Sequence, residues 1–277
     1  MEGRSMVKTR SWADKLKDWR KKHEEAYAKA VLSPPPKTTI YRTIPFPGVV
    51  LIMGHRRWGK SGLAHEIANQ FHNKRHVKGV LHLPDVPDPV RRKVQKLLPK
   101  WFTVVTSRAD WPKNAIVLYD EASQSAHARR SQSSAAVDLD NLIGICGQRN
   151  QLILFVCHHS RKLDINVVRG VDLIMWKRPT QAHAVFERDE LSDFAFKALE
   201  FFSEIKGDVA KKKATLVMDF QNLKFSQFNN SLPPWWTDEL SRIFQDIKDM
   251  TGSQRSKGDT GKGVDRHRAI CKGVDRI

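Results

Sequence analysis

The chain has 277 residues, 40% of them apolar and 28% charged, and a formal net charge of +18. This apolar fraction is enough to bury a core, which excludes an intrinsically disordered protein. The three cysteines form no CxxC pair, which excludes a disulfide framework and favours a reducing compartment. The positive charge favours a polyanionic partner, most commonly nucleic acid, with an anionic membrane surface as the alternative.

Residues 1–45 are predicted to form a basic N-terminal extension with a net charge of +6. Within this extension, Trp12, Leu16 and Trp19 recur at helical intervals among charged residues, which predicts an amphipathic helix. The run SPPPK at residues 33–37 cannot continue a helix. It therefore predicts a stiff linker between the helix and the core.

Short apolar runs alternate with stretches of helical periodicity over residues 46–180, which are predicted to form the core. The apolar runs lack alternating polar residues, which is typical of parallel strands buried on both faces. The pattern predicts an α/β fold with a mostly parallel sheet and helices on both faces. The predicted strands are Val49–Met53, Gly79–Leu83, Phe102–Thr106, Ala115–Tyr119, Leu152–Cys157 and Val171–Trp176, and the predicted helices cover 60–71, 86–98 and 135–147.

The segment GHRRWGKS matches the phosphate-binding motif GxxxxGK[ST] without a gap, after a predicted strand and before a predicted helix. Glycines let backbone N–H groups turn inward around phosphate oxygens, and a helix N-terminus adds a favourable field. In such a loop Lys60 reaches the β- and γ-phosphates of ATP, and the Ser61 hydroxyl ligates Mg²⁺. The alternative is a chance glycine turn before a helix. The residues assigned to the nucleotide are Gly54, His55, Arg56, Arg57, Trp58, Gly59, Lys60, Ser61 and Gly62.

The segment NAIVLYDEAS at residues 114–123 has the form of a Walker B strand that ends in two acids. Asp120 would hold Mg²⁺, mostly through water, and Glu121 would polarise the attacking water as general base. The second carboxylate indicates the hydrolysing, additional-strand (ASCE) branch of P-loop ATPases. The alternative is a surface acidic pair that follows a core strand.

Polar residues that could sense the γ-phosphate follow the predicted strand 152–157. His158, His159 and Ser160 are all candidates, and the sequence does not choose among them. A lone histidine is more often structural, and two adjacent histidines cannot readily share one metal ion.

An arginine that acts on the transferring phosphate from the next subunit would complete such a site. Arg149, which precedes the sensor strand, is the first candidate. Arg129 and Arg130, in the polar loop after the Walker B strand, could take this role or could equally contact DNA phosphates. Arg56 and Arg57 could act on the nucleotide in cis.

Residues 181–250 are predicted to form a C-terminal α/β subdomain that completes the core. The stretch HAVFERDELSDFAFKALEFF predicts a strand and then a helix, and ATLVMDFQN predicts a second strand. Thr237 marks the start of a further helix. Residues 251–277 are polar, contain glycines and carry a net +4, which predicts a flexible basic tail.

Three motifs together resemble the HerA/FtsK-type DNA-pumping ATPases: Lys60-Ser61, the sequence DEA at 120–122, and the block QRNQLILFVCHHSRKLD…VVRGVDLIMWK. The resemblance covers residues 46–180 and is greatest to the small viral genome-packaging and zonula-occludens-toxin-like members. It implies a RecA-like core, a homo-oligomeric ring of five or six subunits, and translocation of double-stranded DNA. It also implies a portal or capsid-vertex protein as docking partner, and a location in the host cytoplasm or with the virion.

The chain departs from this family in two respects. Members commonly carry glutamine at the end of the sensor strand, where this chain has His159 or a neighbour, so the sensor stays open. Toxin-like phage-assembly members usually span a membrane, whereas no run here approaches the roughly 20 apolar residues of a span. We therefore expect a soluble ATP-hydrolysing DNA translocase that packages a viral genome. The alternatives are a nucleotide-regulated DNA-binding or scaffold protein with little turnover, and a terminase-like or plasmid-transfer ATPase.

Overall fold

The computed structural model describes residues 33–84, 86–120, 141, 143–163, 165–219, 222 and 224–242, with five isolated helical positions between 14 and 28. Several predictions from the sequence therefore lie outside the described residues. These are the basic tail, Glu121, the loop with Arg129 and Arg130, and most of the N-terminal helix and of helix 135–147.

An eight-stranded sheet forms the centre of the described chain. Its strands are β1 (Gly48–Met53), β2 (Lys78–His82), β3 (Phe102–Val105), β4 (Ala115–Tyr119), β5 (Gln151–Val156), β6 (Leu173–Trp176), β7 (Ala214–Asp219) and β8 (Lys224–Asn229). Their order across the sheet is β3-β2-β4-β5-β1-β6-β7-β8. The first six strands are parallel, and β7 and β8 are antiparallel. Each of the six predicted core strands is present within two residues of its predicted bounds.

Strand β5 lies between β1, which precedes the phosphate-binding motif, and β4, which is followed directly by Asp120. Ile153 of β5 pairs with Val49 on one side and with Val117 on the other. This is the additional strand that the Asp-Glu pair predicted, so the predicted fold class is confirmed. Because the three strands are parallel, the residues that follow them lie along one edge of the sheet.

Helices cover both faces of the sheet, and successive strand residues point to opposite faces. Leu51 packs in the same apolar cluster as Phe194, whereas the next residue, Ile52, packs in the cluster that contains Leu63. The helices are α1 (Ile40–Thr43), α2 (Lys60–Arg75), α3 (Asp88–Leu97), α4 (Ile165–Arg169), α5 (Gln181–Phe186), α6 (Asp189–Glu204) and α7 (Asp208–Lys213).

The strand predicted after Pro179 is wrong, because this segment forms helix α5. Thr180 caps the helix: its Oγ1 accepts a hydrogen bond from the backbone N–H of His183 at 3.3 Å. The ring Nδ1 of His183 accepts from the backbone N–H of Thr180 at 3.4 Å. This reciprocal pair satisfies helix-end donors and outweighs the β propensity of the apolar residues that follow. The predicted second strand is β7, and Thr237 Oγ1 accepts from the N–H of Leu240 at the start of the last helical turn.

The proline run at residues 33–37 lies along the edge strand β8. The N–H of Thr38 donates to the carbonyl of Gln227 at 2.8 Å, and the N–H of Gln227 donates to the carbonyl of Pro36 at 2.9 Å. The side-chain amide of Gln227 donates to the carbonyl of Pro35 at 2.7 Å. The predicted linker therefore covers part of a sheet edge that would otherwise expose unpaired backbone groups.

We expect Leu154→Ala to lower the free energy of unfolding by about 2–5 kcal/mol, because a truncated core leucine leaves a cavity. Leu154 is fully buried in the additional strand. Leu232→Ala is the matched control, since that leucine is 54% exposed and should cost less than about 1 kcal/mol. Urea denaturation of the nucleotide-free proteins measures both values. Equal losses would contradict the central position of β5.

Candidate functional site

A cavity of about 650 Å³ opens at the edge of the sheet where β1, β4 and β5 end, beside the N-terminus of α2. One wall consists of residues that follow these three strands. The opposite wall, here called the C-terminal wall, consists of Val209, Lys212, Lys213, Asn230, Ser231, Leu232, Trp236 and Ser241. The cavity is also lined by the predicted site residues Arg56, Arg57, Gly59, Lys60, Ser61, Gly62, Asp120 and His158.

The phosphate loop, residues 54–61, has the curvature that its glycines predict. Gly54 and Gly59 have φ angles of 141° and 81°, which side chains other than glycine rarely adopt. A Cβ atom at Gly54 would lie only 2.5 Å from the carbonyl oxygen of Lys177. Helix α2 begins at Lys60, and its first N–H groups have no partner inside the helix. These N–H groups at the start of α2, beside the cavity, are available to bind an anion.

Lys60 holds its ammonium group inside the loop. The Nζ atom donates to the carbonyl of His55 at 2.9 Å and lies 3.1 Å from Nδ1 of His158. Because an ammonium group only donates, Nδ1 of His158 accepts in this contact, which leaves the ring proton on Nε2; the same Nδ1 lies at the longer distance of 3.4 Å from the carbonyl oxygen of Gly54. The structure thus brings together the end of β5 and the phosphate loop, 98 residues apart in the chain.

Ser61 and Asp120 face the same cavity from the start of α2 and the end of β4. Asp120 is only 7% exposed. Hydroxyl and carboxylate oxygens suit Mg²⁺, which usually takes one or two carboxylates and completes its shell with water and substrate phosphates. Among the described residues no group of three or more metal-ligating side chains occurs, so this pair requires such additional ligands.

The three sensor candidates have different surroundings. His158 lines the cavity, whereas the ring of His159 stacks on His183 with centroids 3.9 Å apart. Ser160 is fully buried, and its hydroxyl donates to the carboxylate of Glu187. Only His158 is therefore in a position to contact a group inside the cavity.

His183 fixes the turn that carries the sensor candidates. Burial, reinforced by the neighbouring His159, lowers the pKa of His183 to about 4. The neutral ring donates from Nε2 to the carbonyl of His158 at 2.8 Å. The sequence prediction missed this residue, although the spacing of Thr180 and His183 fits a capping box.

Arg149 lies at the opposite end of β5 from the cavity. Six strand residues of about 3.3 Å each separate this end from the residues that follow the strand. The guanidinium donates to the carbonyl of Trp111 and, at 3.1 Å, to the side chain of Gln151. Within its own chain Arg149 thus joins the segment before β4 to the start of β5.

Trp58 of the phosphate loop lies under the guanidinium of Arg178, whose central carbon is 4.3 Å from the ring centre.

Comparison with known proteins agrees with this architecture. Neither a family model nor a curated protein sequence matches the chain. The DNA-packaging ATPase B204 from Sulfolobus Turreted Icosahedral Virus is similar in structure, with a TM-score of 0.50 and 15% identity over 68% of this chain and 99% of that chain. The genome packaging NTPase B204 from Sulfolobus turreted icosahedral virus 2 in complex with sulfate has a TM-score of 0.49 and 13% identity. The match covers 67% of this chain and 98% of that chain. The N-terminal domain of zonular occludens toxin from Neisseria meningitidis has a TM-score of 0.37 and 12% identity. The match covers 73% of this chain and 98% of that chain. At such identities the first likeness shows the fold alone, which is a mostly parallel sheet with helices on both faces.

His65 connects helix α2 to the C-terminal wall. It is fully buried, with ring centroids 5.6 Å from Phe102, 5.3 Å from Trp235 and 4.9 Å from Trp236. Its Nδ1 donates to the carbonyl of Ser61 at 2.8 Å, so the residue that faces the cavity and the aromatic cluster behind it are joined. Burial lowers the pKa of His65 to about 4.

We expect the folded protein to lose stability as the pH falls from 6.5 to 4. In this window an unfolded His65 takes up a proton while the folded residue stays neutral, so acidification favours the unfolded chain, by at most about 3 kcal/mol at this site. His65→Phe keeps an aromatic ring without a proton to bind. It should give a shallower dependence in urea denaturation between pH 4 and 8. The same variant at pH 7.5 measures the change in packing together with the loss of the hydrogen bond to Ser61. An unaltered slope would refute the assignment.

Proposed function

We propose that this protein is an ATP-hydrolysing motor that moves double-stranded DNA, of the kind that packages viral genomes. The observation that carries the proposal is the convergence of Lys60, Ser61 and Asp120 on one cavity, beside a phosphate loop and an additional strand. Solved structures of similar fold are named as genome-packaging NTPases, three of them in complex with AMP, AMPPCP and ATP-gammaS. The net charge of +18 supports a polyanionic partner.

In this proposal the loop N–H groups and Lys60 bind the β- and γ-phosphates of ATP. A Mg²⁺ ion held by Ser61 and Asp120 would neutralise charge on the transferring phosphoryl group. Glu121 accepts a proton from water as the water oxygen bonds to the γ-phosphorus. The bond to the β-γ bridging oxygen breaks, and ADP and inorganic phosphate leave.

We assign the sensor role to His158 because of its contact with Lys60. Since Nδ1 accepts from that lysine, the Nε2 proton is the one that this ring can offer to a phosphate oxygen. His159 and Ser160 are equally plausible from the sequence, but their side chains make other contacts. The ring of His159 stacks on His183, and the Ser160 hydroxyl donates to Glu187.

The ring of five or six subunits and the contact with DNA belong to the same proposal. A ring would allow the edge with Arg149 to meet the cavity of a neighbouring subunit, which its role as a trans-acting arginine requires. Arg56 and Arg57 line the cavity of their own chain and can act in cis.

A portal or capsid-vertex protein is the proposed docking partner, and the host cytoplasm or the virion is the proposed location. In the described part of the chain, no helix has both the length and the apolar character needed to cross a bilayer.

We expect Lys60→Ala and Glu121→Gln to lower DNA-stimulated ATP turnover by about 100-fold or more. The first removes the charge on the phosphates, and the second removes the general base. Phosphate release by purified protein, with and without duplex DNA, measures the effect. Lys100→Ala and Glu204→Gln are matched controls, since both residues are exposed and neither lines the cavity.

Two outcomes would contradict the motor. Unchanged turnover in either site variant would remove these residues from the chemistry. Salt-dependent duplex binding by the wild-type protein without phosphate release would favour the nucleotide-regulated DNA-binding protein instead.

The sensor assignment predicts different effects for two adjacent histidines. His158→Ala should lower kcat by about 100-fold, as expected when one positioned donor to a phosphate is removed. His159→Ala should leave kcat close to the wild-type value and lower thermal stability, because its ring stacks on His183. Steady-state kinetics and thermal unfolding of both variants check this. The reverse pattern would transfer the sensor role to His159.

A further inference from the structure

We propose that Lys177 is a positioning residue that holds the C-terminal wall of the cavity against the phosphate loop and thereby sets nucleotide affinity. The proposal rests on the function proposed above, since it assumes that the cavity binds a nucleotide. Lys177 itself does not line the cavity, so it acts through the residues it holds.

The backbone of Lys177 supports the start of the phosphate loop. The residue directly follows β6, which pairs with β1, and its N–H donates to the carbonyl of Met53 at 2.8 Å. Its own carbonyl is so close to Gly54 that a Cβ there would collide with it. The next carbonyl, of Arg178, accepts from the N–H of His55 at 3.0 Å. Movement of Lys177 would therefore move the loop.

The side chain of Lys177 joins the loop region to two distant segments. It is fully buried, and its Nζ lies 2.7 Å from the carbonyl of Lys212, 2.8 Å from the carbonyl of Ala214 and 2.8 Å from Oδ1 of Asn230. The hydroxyl of Thr215 is 3.2 Å away and itself donates to Asn230. The three short contacts match the three donors of an ammonium group.

The segments held in this way form the wall that faces α2. Lys212 and Asn230 both line the cavity, as do the residues that follow Asn230. Leu232 lies directly over the first turn of α2, because a Cβ at Gly62 would be 2.6 Å from its Cδ2. With the β- and γ-phosphates at Lys60, the remainder of the nucleotide would lie along this wall. Val209 and Leu232, 69% and 54% exposed, supply the apolar surface that a nucleobase needs.

A lysine at this place is costly for the fold, which supports a specific role. Burial lowers the pKa of Lys177 to about 7, so the charged form is disfavoured by its surroundings. Removal of the amine would leave two backbone carbonyls and the Asn230 side chain buried without this donor. An apolar residue of similar length would fill the same volume but would not fix the positions of these acceptors.

Lys177→Met tests the proposal, with Lys197→Met as the matched control. Lys197 is also buried, at 7% exposed, but lies on α6 and pairs with Glu200. Hydrogen exchange of the nucleotide-free proteins should be faster over residues 212–214 and 229–232 in Lys177→Met only. Titration with a fluorescent ATP analogue should show a Kd raised by about tenfold, which corresponds to about 1.4 kcal/mol. The kcat at saturating ATP should fall by a smaller factor than the Kd rises, because no catalytic group is removed.

The outcomes separate this proposal from the proposed function. If the wild-type protein does not bind the analogue, the proposed function fails and the affinity role fails with it. If the wild type binds and Lys177→Met binds equally well, only the role of Lys177 is overturned. If Lys177→Met does not fold, Thr215→Val decides. It removes a hydroxyl that lies outside the cavity, 3.2 Å from Nζ of Lys177, and that donates to Asn230. Faster exchange with a raised Kd in that variant supports the proposal, and unchanged values overturn it.

Discussion

The pairing of β5 between β1 and β4 is the constraint on which the candidate site depends. Parallel strands end at the same edge of a sheet, so the residues that follow these strands meet there regardless of their separation in the chain. Lys60 and His158 come within 3.1 Å of each other for this reason. Two apolar clusters, one on each face, hold the three strands in register. The position of the polar groups is thus maintained by burial of the apolar ones.

The cavity has two halves of different origin. The half with the phosphate loop, Asp120 and His158 belongs to the parallel core, where the polar residues lie in the segments that follow β1, β4 and β5. The C-terminal wall comes from segments around the antiparallel strands β7 and β8 and is attached through hydrogen bonds of Lys177 and packing of His65. Bound phosphate and the rest of a nucleotide would thus contact different parts of the chain. Substitutions in the C-terminal wall would then change nucleotide affinity more than the rate of the chemical step.

Two buried, neutral histidines hold residues that line the cavity. Burial lowers the pKa values of His65 and His183 to about 4, so both rings are uncharged donors near neutral pH. Each donates to the carbonyl of a residue that lines the cavity, Ser61 in one case and His158 in the other. The two rings thus hold the backbone of Ser61 and His158 without adding a charge of their own.

The sequence by itself determined the fold class, the six parallel strands and the phosphate loop, because buried strands and glycine turns depend on local composition and spacing. It also named Asp120, which lines the cavity, and proposed three neighbouring residues as candidates for the sensor. It misassigned the strand after Pro179, since a side-chain cap decided that segment, and it missed β8, whose alternating exposure is weak. Only the tertiary structure decided that His158 rather than His159 or Ser160 faces the cavity, and that Arg149 lies at the opposite edge. Only it revealed Lys177 as the link between two distant segments, because the partners of a buried polar group depend on which chain segments meet and not on their order in the sequence.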